Sequence, residues 1–107
     1  MVWLGSVLLF VSSFAGTWSG SVVADKSAPL LMVLSQEGAD VSGTFGRDLQ
    51  TQWKITKSKI DGDTLTVEVA PGNVFRLVLK LDGDKLAGAV FKDGRVVGAI
   101  RFERVKP

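Results

Sequence analysis

The sequence predicts an all-β domain: a single antiparallel up-and-down meander of about eight strands that closes, or nearly closes, into a barrel. Three observations predict it. Short runs of alternating apolar and polar residues follow one another, with no helical period. Turn residues separate them, most clearly at Asp61-Gly62-Asp63, Asp82-Gly83-Asp84 and Asp93-Gly94. Asp-Gly between alternating runs marks a hairpin, because a type I′ turn needs positive φ at both central residues. Finally, every connection is short enough for a hairpin, so consecutive strands pair antiparallel, and a closed meander has no free edge.

Taken in order, residues 1–15 (MVWLGSVLLFVSSFA) carry no charged side chain and end in the small-x-small pattern Ser13-Phe14-Ala15. The stretch is shorter than the ~20 residues of a membrane-spanning helix. It reads as a signal peptide cut before Gly16, which implies a periplasmic or secreted protein. The other reading is an apolar N-terminal segment packed on the barrel. Residues 16–107 then form the barrel domain, with strands near 17–25, 29–36, 41–46, 51–60, 64–69, 74–81, 86–92 and 95–104. Reversals are expected at Asp25–Pro29, Glu37–Asp40, Gly46–Asp48 and Pro71–Asn73 besides the Asp-Gly turns.

Alternation assigns the faces. Leu65, Val67 and Val69 oppose Thr64, Thr66 and Glu68; Phe75, Leu77, Leu79 and Leu81 oppose Arg76 and Lys80; Val96, Ile100 and Phe102 oppose Arg101 and Glu103. The apolar sets are expected inside. Gly20, Gly43, Gly88 and Gly98 fall at inward parity, where they bend a strand or make room for a bulky neighbour. Leu30-Leu31-Met32-Val33-Leu34 is apolar on both faces, so either a neighbour or the uncut N-terminal segment covers it, or residues 29–34 are a contact for a second copy or a protein partner.

Composition narrows the function. Histidine and cysteine are absent, which removes Ser-His and Cys-His nucleophile pairs and the usual zinc, haem and iron–sulfur ligands. No catalytic residue, metal or cofactor is expected. Thirteen basic residues against eleven acidic give a net charge of +2, too weak a field to argue for nucleic acid. Acidic turns at Glu37, Asp40, Asp61, Asp63, Asp82 and Asp84 lack the alternating acids of a calcium loop and have Lys59, Lys80 and Lys85 beside them.

Gly16-Thr17-Trp18, followed by GADVSGTF at 38–45, resembles the opening of the avidin and lipocalin barrels, the calycins. Those families share an early Gly-x-Trp and a late basic residue packed across the Trp ring near the closed end. The resemblance implies that role for Arg104, with Arg101 second. The chain also resembles small barrel domains of exported bacterial proteins, some of which precede α/β-hydrolase domains; this likeness covers most of residues 16–105. In the avidins an aromatic residue and then a Ser meet biotin. Here Phe45 takes the aromatic place and Arg47 stands where the Ser would be, so the chain is not expected to bind biotin.

The uniform Gly turns at 37–40, 61–63 and 82–84 share one end, the closed one if Trp18 sits there. Connections 25–28, 46–51, 70–73 and 92–95 share the other, the mouth, where small barrels bind ligands. Phe45, Trp53 and Phe75 have inward parity near it, and Arg47, Gln52 and Arg95 are the polar candidates. Either these line a shallow site for a small amphipathic or anionic ligand, or the aromatics plug a filled barrel. The expected function is a non-enzymatic exported barrel binding such a ligand. The alternatives are a protein-interaction or envelope-docking module, and the accessory front domain of a hydrolase.

Overall fold

The computed structural model describes residues 13–70 and 72–106. Residues 1–12, most of the expected leader, lie outside the described residues, as does Pro71 of the expected 71–73 reversal. Eight strands follow in chain order: β1 (Gly16–Val22), β2 (Asp25–Glu37), β3 (Asp40–Gly46), β4 (Gln52–Asp61), β5 (Thr64–Val69), β6 (Phe75–Asp82), β7 (Lys85–Lys92) and β8 (Arg95–Arg104). Each pairs antiparallel with the next, and β8 pairs back onto β1 to close the barrel. The meander and its closure are those the turns and alternation predict.

The turn chemistry divides into two kinds. At Asp93-Gly94 both residues have positive φ, 53° and 77°, the type I′ arrangement. In the two-residue loops after β2, β4 and β6, glycine stands first (Gly38, Gly62 and Gly83, φ 62–64°), and the residue after it has no positive φ. That is the type II′ pattern, which asks for positive φ at the first central residue alone. The expectation of type I′ at Asp61–Asp63 and Asp82–Asp84 is corrected accordingly; both turn types suit the twist of the flanking strands, so the hairpins are unaffected.

Of three register irregularities, one of them leaving Thr56 over on β4, two shift the predicted elements. The register of β1 on β2 jumps between Ser21, opposite Pro29, and Val22, opposite Asp25. The reversal expected at 25–29 is therefore a tight turn at 23–24, followed by extra residues inside β2. On β8 the register jumps opposite Val90 and Phe91, which pair with Gly98 and Val96 and leave Val97 over. One extra residue reverses parity. Val96, expected inside, is consequently 63% exposed, whereas Ile100 and Phe102 beyond the bulge are buried.

The core runs from the middle of the barrel to the Trp18 end. Trp18, Met32, Leu65, Val67, Leu77, Leu79, Leu86 and Phe102 are fully buried, and no charged side chain is buried among the described residues. At Gly20, Gly43 and Gly88 an added Cβ would fall within 2 Å of a neighbouring strand's carbonyl oxygen, so these inward glycines serve close backbone approach.

The barrel floor is closed by the residues just before β1. Phe14 is fully buried in the core. Its N–H donates to Gln36 Oε1 at 2.8 Å, and its carbonyl accepts the indole N–H of Trp18 at 3.0 Å. The Arg104 guanidinium lies over Trp18, 4.3 Å from the ring centroid. From there it donates to the carbonyl oxygens of Ala15 and Ser13 and pairs with Asp84 at 2.9 Å. Gly16 has φ +133°, and a Cβ there would press on the same guanidinium.

Candidate functional site

The opposite end is built differently. An inward row crosses the sheet from Trp18 through Met32 and Phe45 to Trp53, because these residues are register partners on β1 to β4. A second row runs from Ile55 through Val69, Phe75 and Lys92 to Arg95. Both climb toward the mouth. The inner surface there consists of Val22, Leu30, Phe45, Trp53, Phe75 and Val90, packed on the core but only partly buried. Phe45 meets Phe102 across the interior edge to face, with centroids 6.3 Å apart, and so forms part of the base of the mouth.

Gly98 faces inward opposite Val90, and nothing lies within 4 Å of where its Cβ would be. The wall is therefore unfilled at that point, whereas the other inward glycines are covered by backbone. The mouth is thus lined by partly buried apolar residues over a packed floor, with open space at Gly98.

Phe45, Trp53 and Phe75, the three aromatic residues singled out in the sequence, come together on this inner surface. Arg95 stands at the rim in the row of Phe75, and its own side chain is exposed. Arg47 and Gln52 are not brought to it. Gln52 pairs with Gly46 and so lies one residue out of phase with Trp53, on the outer face. Its amide donates to Asp48 O at 2.7 Å and Leu31 O at 3.2 Å, bracing the 47–50 loop against β2. Asp48 Oδ1 accepts the N–H groups of Gln50 and Thr51 at 2.9 and 2.8 Å. This stitched loop and the outer face of β2 enclose a groove of about 470 Å³ lined by Ser19, Pro29, Leu31, Arg47, Leu49 and Gln50.

Lys92 was missed in the sequence. Its ammonium lies 5.9 Å from the centroid of the Phe75 ring, on the inner face at the rim. A signal for it existed: a two-residue Asp-Gly turn pairs Lys92 with Arg95 and gives both the same parity. The inner surface at the mouth thus carries three aromatic residues and, along one side, two cations at the rim.

The closed eight-stranded meander is an antiparallel up-and-down β-barrel. Among solved structures it is similar to a point mutant of the fluorescent protein UnaG, with a TM-score of 0.57 at 14% sequence identity, covering 88% of this chain and 97% of that one. A likeness at that identity is one of fold. No protein-family model matches the chain, and no curated protein sequence matches it either.

Proposed function

We propose that this protein is a non-enzymatic, exported barrel that binds a small amphipathic anion in the cup at its mouth. The observation that carries the reading is the unfilled wall at Gly98, set among Phe75, Val90 and the partly exposed aromatics. Apolar surface there gives binding energy, and the few polar groups at the rim give orientation. Phe45, Trp53 and Phe75 would take the flat or hydrocarbon part of the ligand. Lys92 and Arg95 would take its charge, Arg95 by a planar fork suited to a carboxylate or sulfonate. Arg47 and Gln52 have no direct part, because they lie outside the wall.

Fluorescence titration with anilinonaphthalene sulfonate tests this. The full chain is expected to bind the probe saturably. Gly98→Phe, which fills the open space, is expected to weaken binding ~10-fold or more while Tm stays within ~4 °C. Unchanged affinity in Gly98→Phe would place the probe elsewhere and remove the reading.

A docking role is the second reading, and the outer groove favours it. Leu49 is 77% exposed on a braced loop beside Pro29 and Leu31. Leu31→Lys is expected to break any self-association seen by sedimentation; if an oligomer survives it, this reading fails.

A further inference from the structure

We infer that the mature barrel keeps Ser13–Ala15, and that these three residues are the strap closing its floor rather than the tail of a disposable leader. The small-x-small pattern invites hydrolysis between Ala15 and Gly16. In that reaction water adds across the peptide bond, leaving a carboxylate on Ala15 and a new amine on Gly16. The geometry of the floor argues for a bond further upstream.

The three residues are held between them by three different strands. Phe14 supplies an aromatic ring to the core with no exposure to solvent. Its N–H is taken by Gln36 of β2, and its carbonyl by the Trp18 indole of β1. Arg104 of β8 donates to the carbonyls of Ala15 and Ser13. The strap therefore joins the first two strands to the last, at the seam where the barrel closes.

A cut before Gly16 would undo all of this at once. The Trp18 indole N–H is buried and would lose its acceptor, the costly kind of loss for a polar group out of water. The space held by Phe14 would become a cavity under Trp18. A new ammonium would form on Gly16, where the Arg104 guanidinium already lies close enough to crowd an added Cβ at 3.2 Å. Like charges so placed repel. The sequence between Ser13 and Gly16 is thus built for the folded barrel, whatever becomes of the residues before it.

The test is the intact mass of the full chain produced in a bacterial host with an active signal peptidase, paired with thermal unfolding of the Phe14→Ala variant of that chain. A mass that includes Ser13, and a Tm lowered by ~10 °C or more in Phe14→Ala, are the expected results. A mass beginning at Gly16 would overturn the inference. So would a Phe14→Ala protein that unfolds within ~2 °C of its parent. If Phe14→Ala does not accumulate, Phe14→Leu keeps most of the apolar volume and is expected to unfold ~5 °C lower; no shift in it would also overturn the strap.

Discussion

Replacing Arg104 with alanine removes more from the barrel floor than any other change to an unburied side chain. The guanidinium lies 4.3 Å from the Trp18 ring centroid and donates to Ser13 O at 3.1 Å, to Ala15 O and to Asp84 at 2.9 Å. Asp84 is largely exposed, so its ion pair contributes ~0–1 kcal/mol. The cation–π contact contributes ~1–2 kcal/mol in this partly desolvated position. Charge-assisted bonds to carbonyls are worth ~1.5–3 kcal/mol each when measured singly, but two from one side chain do not add. A loss of ~3–4 kcal/mol follows for Arg104→Ala. At ~4–8 °C per kcal/mol for a domain of this size, Tm should fall by ~12–32 °C, read by circular dichroism and checked by urea unfolding. Asp84→Asn should move it by less than ~4 °C. Arg104→Lys keeps the charge but cannot reach two carbonyls and the ring with one planar group, so it should recover less than half the loss. An Arg104→Ala protein within ~3 °C of the parent would refute the reasoning, and full recovery in Arg104→Lys would refute the role of the fork.

Three other expectations follow from the register and the loops. Val96→Lys should leave Tm within ~3 °C, because the bulge turns Val96 outward, while Ile100→Ala should cost ~2–4 kcal/mol by urea unfolding; the reverse order would mean that β8 is unbulged. Gln52→Ala should speed amide exchange at Gln50 and Thr51 by ~10-fold and leave probe binding within ~2-fold, since Gln52 braces the outer loop; lost probe binding would return Gln52 to the site. Asp93→Asn should be neutral or stabilise by up to ~0.5 kcal/mol, because Asn tolerates the φ of 53° that Asp93 adopts; clear destabilisation would show that the Asp carboxylate itself holds the turn.

Most of the barrel could be read from the residues because hairpin chemistry is local. Asp-Gly pairs and alternation are short-range signals, and in a meander each strand's neighbour is the next one along the chain. What escaped was whatever depends on a single extra residue. Val97 is left over against β7, and nothing in Val96-Val97-Gly98 says which valine will be skipped. The aromatic half of the cup was legible, since Phe45, Trp53 and Phe75 follow their strands' alternation. Gln52 was a polar candidate although it stands next to inward Trp53 and so faces outward, and Lys92 was passed over although its turn partner Arg95 was chosen. Phe14 was hidden for another reason: an apolar residue preceding a small one looks the same in a leader and in a core. Only its contacts tell them apart, with Trp18 nearby and with Gln36 on the next strand.

The closing seam between β1 and β8 also sets an order of events during synthesis. Arg104 reaches back to Ala15 across 89 positions of sequence. The successive hairpins can each form soon after both their strands exist, but the closing pairing waits until β8 has been made. Non-local closure of this kind is slow compared with hairpin formation. Until it happens, the inward faces of the early strands and the edge of β1 that β8 will cover stand open, a state prone to aggregation. The nascent barrel is therefore at its most vulnerable just before β8 is made, and a ribosome that stalls there would leave an apolar trough rather than a smaller barrel.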